Sequence, residues 1–299
     1  MGKLRHVFHS VVTGVIDGVL TGGVYALMAA GLTLIFGVME VINIAQGIFV
    51  ILGSYLSYTL ETHFHIDLFL GLLITIPCLF IVGFGAEWLF LRRLKGTERI
   101  ALSILVTYAL FILVEGVLNI IYGTQFVELH ANYLTKSIKF GGFYFPYIYL
   151  LGFALAVVLL AALFGMLYRT RFGASVRAAT QDRTAALLVG VDVRRVSTLV
   201  FAIGVAVTAA GGMIFGATNA FNSNSAEDLI SRLLIIVVLG GLGSIGGALA
   251  AAVVMLVVED VVAIVWAPDW ATVVFFLVLL AVLSLRPQGL FGLQAARAQ

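Results

Sequence analysis

Long runs of apolar residues constrain this chain more than any other feature. Runs of 18 or more such residues recur along the sequence, separated by short polar or arginine-rich stretches. As a helix, a run of this length covers the roughly 30 Å thickness of a bilayer's hydrocarbon core. Only 11% of the residues are charged, whereas about a quarter are charged in a typical soluble domain. A transmembrane β-barrel would show alternating segments of about ten residues, which this sequence lacks. The sequence therefore predicts an all-α, polytopic integral membrane protein.

We expect a single transmembrane domain over residues 1–299, located in the bacterial cytoplasmic (inner) membrane and surrounded by lipid. It should contain about eight membrane-embedded helical segments, one or two of them broken or re-entrant, and a cytoplasmic coupling helix. The predicted segments cover residues 11–38, 41–60, 68–91, 100–122, 146–168, 196–220, 229–265 and 271–285.

The distribution of arginine predicts the orientation. Basic residues concentrate at 92–99, at 170–195 and at Arg286, and cytoplasmic loops carry an excess of Arg and Lys. By the same rule Lys3 and Arg5 place the N-terminus in the cytoplasm, with an external N-terminus as the alternative. The loop at 123–145, which ends in a cluster of aromatic residues, is then external.

If residues 11–38, 41–60 and 68–91 each crossed the membrane from a cytoplasmic N-terminus, the basic residues at 92–99 would be external. A single crossing by residues 229–265 would likewise place Arg286 outside. The conflict disappears if residues 39–60 and 229–265 each start and finish on the external side. Each would then be a broken or re-entrant segment, or, for 229–265, a tight pair of helices. Irregular backbone at membrane depth is tolerated only where protein or a water-filled cavity covers it.

Both predicted breaks carry residues that suit a substrate pathway. We expect them to line the route through the membrane, because amides and free backbone groups can bind a zwitterion without a fixed charge. The alternative is that the amides only tie broken backbone to neighbouring helices. The predicted pathway residues are Asn43, Gln46 and Gly47 in the first break and Gly240, Gly241 and Gly243 in the second.

Small residues recur every four positions in two helices, which indicates a weak internal repeat. Such spacing lets helices approach closely in lipid, and we expect these faces to contribute to the same route. The alternative is that glycine is simply common in membrane helices. The helix-packing positions are Gly14, Gly18 and Gly22 in the first helix, and Gly204, Thr208, Gly212 and Gly216 in the later one.

Residues 170–195 are the one long polar stretch between spans. Gly173 can supply the turn into a short helix, Gly190 occupies a C-cap position, and Asp192 can cap the next segment. We predict a cytoplasmic helix that docks a soluble partner, with an ordinary charged loop as the alternative. The candidate docking residues are Arg177, Ala178, Ala179, Asp182, Arg183, Ala186 and Gly190.

No catalytic constellation is present. None of the four lysines lies in a GxxxxGK[ST] motif, so the chain lacks an ATP-binding P-loop, and we expect no enzyme activity, cofactor or metal. A net charge of +2, with basic residues confined to membrane flanks, argues against a nucleic-acid partner. Glu115, four residues before Asn119 within a span, is the best candidate ion site for an alternative function as a secondary transporter or channel.

Four motifs, in the correct order and spanning nearly the whole chain, resemble the LivH-type permeases of branched-chain amino acid ABC importers. The first is GGVYALMAAGLTLIFGVMEVINIAQGIFVILGSYLSY at 22–58, and the second is ASVRAATQDRTAALLVGVDVRRV at 174–196. The others are VLGGLGSIGGALAA at 238–251 and LRPQGLFG at 285–292. Two departures, Gln46-Gly47-Ile48 and Gly246, fall in the predicted breaks and bear on substrate identity.

The resemblance implies a division of labour. The chain would be one of two permeases, paired with a LivM-type subunit. Two cytosolic ATPases would dock beneath residues 170–195, and a soluble solute-binding protein would deliver substrate from outside. Branched-chain or related small amino acids are the implied substrates, with urea, short amides or other small carboxylates as alternatives.

Overall fold

The computed structural model describes residues 2–94, 99–131, 133–134, 136–140, 143–286 and 289–290. The helices are α1 (Gly2–Met39), α2 (Gln46–Phe64), α3 (Leu68–Leu89), α4 (Arg99–Tyr122), α5 (Tyr147–Arg169), α6 (Arg171–Gln181), α7 (Arg183–Leu188), α8 (Val193–Ala206), α9 (Thr208–Thr218), α10 (Ser225–Gly240), α11 (Ile245–Val265) and α12 (Pro268–Leu285). A 3₁₀ turn at Leu91–Arg93 follows α3, and strands β1 (Ser137–Phe140) and β2 (Phe143–Pro146) precede α5.

Six helical stretches of the described residues are long and apolar enough to cross a membrane. They are His9–Met39, Leu68–Arg93, Ile100–Tyr122, Tyr147–Arg169, Val193–Thr218 and Ile245–Val265. The shorter helices α2, α10 and α12 pack with them. The prediction of an all-α, polytopic membrane protein is confirmed. The structure has more helical segments than predicted, because residues 229–265 fall into two helices.

Two of these stretches form the centre of the molecule. In the most apolar window of His9–Met39, 78% of the residues are buried within the chain, and the same holds for Val193–Thr218. The other four spans are only 22–33% buried, so their outer faces are available to lipid or to partner subunits. The two small-residue helices of the predicted repeat are therefore the central ones.

The N-terminus lies at the end of the bundle opposite the arginine-rich segment. Gly14 of α1 contacts Val261 near the C-terminal end of α11, whereas Gly37 lies beside Gly243 and the side chain of Thr180 in α6. We call the end formed by α6 and α7 the coupling end, and the opposite end the outer end. The prediction that the N-terminus shares a side with the arginine-rich segment is wrong. Two basic residues near the chain start are outweighed by the arginine clusters at 92–99 and 169–195.

With this orientation, successive membrane-embedded segments alternate in direction, and α8 and α9 together form one such segment. The chain leaves α1 toward the coupling end, turns back through residues 40–45, and α2 then runs to the outer end. Tyr55 of α2 stacks on Tyr122 at the end of α4, with ring centroids 4.2 Å apart. Residues 39–60 therefore do not start and finish on the outer side as predicted. Arg92 and Arg93 reach the coupling end without re-entry; Lys95 and Glu98 lie outside the described residues.

The second region, 229–265, is a helical pair, which was one of the two predicted forms. Helix α10 runs to the coupling end, turns at Gly241 and Gly243, both with positive φ, and returns as α11. A second break, which the sequence does not predict, lies at residues 219–224. It separates α9 from α10, as residues 40–45 separate α1 from α2. Phe221 and Ser223 there are fully buried, although residues 221–228 lie between two predicted membrane segments.

The outer loop covers this second break. Val127 and Phe221 exchange two backbone hydrogen bonds of 2.9 Å each, which satisfy polar groups that the helices leave unpaired. Strands β1 and β2 pair antiparallel in the same loop, a small departure from the all-helical prediction favoured by its aromatic and β-branched residues. Burial and the nearby Asp67 carboxylate raise the pKa of Tyr133 in this loop.

Candidate functional site

The arginine-rich segment folds into two short helices with well-defined caps. The Thr170 hydroxyl accepts a hydrogen bond of 3.0 Å from the Gly173 amide at the start of α6. Asp182 follows the last residue of α6 and caps α7. Its carboxylate accepts hydrogen bonds of 2.8 and 2.9 Å from the amides of Thr184 and Ala185. Three-residue spacing between a short polar side chain and a first-turn amide is the N-cap geometry. The sequence predicts one helix here and misses this division at Asp182.

The predicted caps at the far end of the segment are present in the structure. Gly190 follows α7 with φ +86°, which suits glycine after a helix C-terminus. The Asp192 carboxylate accepts a hydrogen bond of 3.1 Å from the Arg195 amide at the start of α8. Gly173 differs from its predicted role. It lies inside α6, where an added Cβ would sit 2.2 Å from the Leu167 carbonyl oxygen, so it permits close packing on α5.

The alanines among the candidate docking residues do not all face outward. Ala179 and Ala186 are buried against the bundle, and Ala178 is half-buried. Ala179 and Ala186 therefore hold the segment in place and offer no docking surface, which corrects their predicted role. An apolar patch is exposed instead. Leu187, Leu188 and Val189 are 56, 84 and 77% exposed at the tip of α7, and we call them the α7 tip.

Arg177 connects the segment to the bundle. Its guanidinium donates a hydrogen bond to the Leu167 carbonyl oxygen in the last turn of α5 and lies over the Tyr168 ring, 5.4 Å from its centroid. A cation at the C-terminal end of a helix interacts favourably with the helix dipole and its unpaired carbonyls. Arg177 therefore fixes α6 on α5, and Arg183 is half-buried beside the Asp182 cap.

The bundle has a cavity of about 270 Å³ at its outer end and another of about 510 Å³ at its coupling end. The one at the coupling end, 510 Å³, lies between α1, α5, α6 and the α10–α11 turn. It brings Gly243, a predicted pathway residue, next to Arg177 and Thr180 of the coupling segment. The C-terminal motif reaches the same turn, because the Leu290 amide donates a hydrogen bond of 2.7 Å to the Leu239 carbonyl oxygen. Residues 287–288 and 291–292 of that motif lie outside the described residues.

Asn43 and Gln46 are completely buried and hydrogen-bonded within the protein. The Asn43 amide donates to the Gln46 side-chain oxygen at 2.9 Å, and the Gln46 amide donates to the Gly204 carbonyl oxygen at 3.0 Å. Thr107 of α4 bonds to both the Ile42 carbonyl oxygen and the Ile44 amide. These contacts correspond to the alternative interpretation, in which the amides tie the broken backbone to its neighbours.

The remaining glycines of the predicted pathway mark close backbone contacts. A Cβ on Gly47 would lie 2.4 Å from the Ala226 carbonyl oxygen, so the first turns of α2 and α10 touch. A Cβ on Gly240 would lie 2.4 Å from the Ala248 amide nitrogen, where α10 and α11 meet. Gly241 belongs to the turn that joins them.

The small-residue faces of the central helices also meet backbone. A Cβ on Gly18 would lie 2.4 Å from the Val257 Cα, and Gly14 and Gly22 contact α11 one turn to either side. Gly212 packs on the Val50 carbonyl oxygen. These faces are filled by α11 and α2, so the prediction that they line an open route is wrong. The other positions of the second face are Gly204 against Gly31 and Ile35, the buried Thr208, and Gly216 against Phe221.

The outer end holds an ionic cluster that the sequence does not predict. The Arg232 guanidinium of α10 bonds to Glu259 of α11 and, at 2.9 Å, to Asp228. Asp260 accepts a hydrogen bond of 3.2 Å from the Thr21 hydroxyl of α1. An arginine and two carboxylates thus lie together between α1, α10 and α11. Position 232 lies in the predicted segment 229–265, and the sequence does not show that the turn at Gly241 brings it beside Glu259.

Glu115, the candidate ion site of the alternative function, lies apart from this cluster. It is half-buried on α4, in a span of which only 22% is buried. Its neighbour Asn119 accepts a hydrogen bond from the Ser223 hydroxyl in the second break. The pair thus lies near the outer loop, where Asn119 serves to hold the break.

The fold and its two ends define a class of protein: a helical membrane protein with broken spans and a polar segment displayed at one end. Residues 14–283 match the family described as branched-chain amino acid transport system / permease component. The chain therefore belongs to that family. Its place in the cytoplasmic membrane follows from this membership and from the six membrane-spanning stretches among the described residues.

Several curated proteins are similar over almost their whole length. The high-affinity branched-chain amino acid transport system permease protein BraD of Pseudomonas aeruginosa is 26% identical, over 93% of this chain and 94% of BraD. The LivH permease of Escherichia coli K12 is 27% identical over 92% and 94%. A probable LivH permease of Methanocaldococcus jannaschii is 26% identical over 92% and 90%. No solved structure matches the chain.

Proposed function

We propose that this chain is a permease subunit of an ABC importer that moves branched-chain or related aliphatic amino acids into the cell. ATP hydrolysis would take place on two cytosolic ATPase subunits, because this sequence contains no P-loop. A second, LivM-type permease and a soluble solute-binding protein would complete the assembly. The names of the similar permeases support the substrate class.

One observation carries the proposal beyond family membership: the exposed α7 tip. Leu187, Leu188 and Val189 project from a segment that otherwise carries arginines and aspartates. Apolar residues rimmed by polar ones mark protein interaction sites. An apolar surface on an ATPase, surrounded by acidic side chains, would complement both the α7 tip and the arginines around it.

The packing of the coupling segment explains how movement of the ATPases would reach the membrane. Helix α6 contacts α1, α5 and α8, and Thr180 lies beside Gly37 and Gly243. Because Arg177 fixes α6 on α5, a displacement of α7 would be transmitted to the ends of several spans together. The cavity at the coupling end gives these ends room to move.

The substrate class can be tested by uptake competition. The chain would be expressed with a LivM-type permease, ATPases and a binding protein as its proposed partners, in cells that lack their own branched-chain amino acid uptake. We expect uptake of radiolabelled leucine, with competition by isoleucine and valine but little by urea or short amides. Uptake that urea or an amide suppresses and isoleucine does not would contradict the proposed substrate.

A further inference from the structure

The cavity at the outer end combines an ionic cluster with an apolar floor. It has a volume of about 270 Å³, near the lower end of the roughly 300–1,000 Å³ common for ligand pockets. Five helices, α1, α5, α9, α10 and α11, contribute to its walls. Its lining runs from the exposed Asn219, at the outer end of α9, to the fully buried Met28 in α1.

The polar wall contains more negative than positive charge. Arg232 is the cation that lines the cavity, beside Glu259 and Asp260. The Arg232 guanidinium already bonds to Glu259 and to the more exposed Asp228, so one positive charge faces three carboxylates. Carboxylates within a membrane protein are costly, pair with other groups inside the bundle and mark substrate or ion pathways.

One oxygen in this cluster is buried without a partner. Glu259 is only 9% exposed. Its Oε1 atom bonds to Arg232, while Oε2 has no hydrogen-bond partner among the described residues. An unpaired buried carboxylate oxygen is unfavourable by itself. It is therefore available to a donor that enters the cavity, and an ammonium group has three such donors.

Another part of the cavity wall is apolar. Val24, Met28, Ile214 and Leu256 line it, and all four are buried. A branched aliphatic side chain placed beside these four residues would contact their carbon and sulfur atoms, while its polar end lay at the charged wall. Arg232 uses two of its five N–H groups in the hydrogen bonds described above, which leaves three for a ligand carboxylate.

We propose that this outer cavity is a binding station for a zwitterionic aliphatic amino acid on its way into the permease. Glu259 and Asp260 take the ammonium group, Arg232 takes the carboxylate, and the apolar wall holds the side chain. The inference rests on the proposed function and assigns the substrate contacts to this cavity, away from Asn43 and Gln46. The station faces the outer end, where a binding protein would release its ligand.

The test measures maximal uptake in proteoliposomes that contain the whole assembly, with saturating loaded binding protein outside and ATP inside. Under these conditions the rate reports the permease, because the affinity of the binding protein no longer limits it. The variants are Asp260→Asn and Glu259→Gln, which remove charge and keep side-chain shape. Glu115→Gln is the matched control, a carboxylate within a span but outside the cavity.

We expect Asp260→Asn and Glu259→Gln to lower the maximal rate by at least about tenfold, equivalent to about 1.4 kcal/mol, while ATP hydrolysis stimulated by the binding protein persists. Asp260→Glu should recover most of the rate, and it remains informative if an amide variant proves unstable. Glu115→Gln should stay within about twofold of wild type. A purely structural ion pair would instead lower thermal stability and leave the rate per folded complex unchanged.

Wild-type rates in Asp260→Asn and Glu259→Gln, with ATP-dependent uptake intact in the parent complex, would overturn this inference and leave the proposed function standing. If the parent complex, with all its partners, shows no ATP-dependent uptake of an aliphatic amino acid, the proposed function itself fails, and this inference with it.

Discussion

At the scale of single residues, the buried amides of the first break and the buried carboxylate of the outer cavity have different roles. Asn43 bonds to Gln46, and Gln46 bonds to the Gly204 carbonyl oxygen, so the two amides close the first break; Asn43 Oδ1 has no hydrogen-bond partner among the described residues. Glu259 keeps one oxygen unpaired beside a cavity. The two sites differ in their surroundings: Glu259 lines a cavity, whereas Asn43 and Gln46 line neither of the two cavities described above.

Gln46→Ala should destabilise the protein. It leaves the Gly204 carbonyl oxygen and the Asn43 amide without their bonds, and an unsatisfied buried group costs about 1–3 kcal/mol. The midpoint of thermal unfolding in detergent measures the change, with Gln125→Ala in the exposed outer loop as the control. Equal midpoints for the two variants would show that the Gln46 amide does not hold the break.

The residues that sequence reasoning located correctly are those whose role is local. Asp192 and Gly190 cap helices through their own neighbours in the chain, so their types and positions suffice. Arg232 and Glu259 are 27 positions apart and meet only because α10 folds back on α11. Such a pair cannot be recognised before the turn at Gly241 is known.

At the scale of helices, close backbone contact replaces the hydrophobic effect that drives packing in water. Glycines bring α1 onto α11 and α9 onto α2, and small residues at such interfaces are favoured because lipid is as apolar as leucine. The sequence shows that these faces are special through their four-residue spacing. It does not show which helix covers each face. The four-residue spacing alone therefore fits both a helix contact and a face that lines the route.

Gly18→Ala should destabilise the protein, although alanine is the better helix former. The new Cβ would lie 2.4 Å from the Val257 Cα, and overpacking of this kind costs about 1–3 kcal/mol. Gly116→Ala is the matched control, since its Cβ meets nothing within 4 Å; we expect it to be neutral or to stabilise by up to about 1 kcal/mol. Thermal unfolding of both variants decides. A stabilised Gly18→Ala protein would mean that α1 and α11 are not in contact there.

Leu188→Asp should separate the permease from its ATPases. The side chain is 84% exposed at the α7 tip, so the change should not affect folding, but it places a charge in an apolar contact. We expect the amount of ATPase that co-purifies with the membrane complex to fall by at least about tenfold, equivalent to about 1.4 kcal/mol. Phe126→Asp, an equally drastic change at the outer end, should leave it unaltered. If both variants retain the ATPase, the α7 tip is not the docking surface.

At the scale of the whole molecule, the two broken regions run in opposite directions. The α1, break, α2 series starts at the outer end, whereas the α8–α9, break, α10 series starts at the coupling end. Opposed repeats with discontinuous helices are a common plan among transporters. The fold class and the arginine-rich end follow from composition and charge. The direction of α1 does not follow from the sequence, because Lys3 and Arg5 predict a cytoplasmic N-terminus.

Cysteine labelling tests this orientation. In a Cys78→Ser background, an impermeant thiol reagent added to intact cells should label His9→Cys and Thr62→Cys, both exposed at the outer end. Thr184→Cys, exposed at the start of α7, should react only after the membrane is opened. If position 62 is labelled and position 9 is protected, the N-terminus is cytoplasmic and the orientation described here is wrong.

The most direct test of the account measures what drives accumulation of the amino acid. Proteoliposomes containing the complete assembly would receive binding protein and radiolabelled leucine outside, with ATP enclosed on the ATPase side. We predict accumulation of leucine above its external concentration only when ATP is present and hydrolysed, and no accumulation driven by an imposed proton or sodium gradient. Accumulation that follows the ion gradient without ATP would contradict the account and favour a secondary transporter acting through a carboxylate such as Glu115.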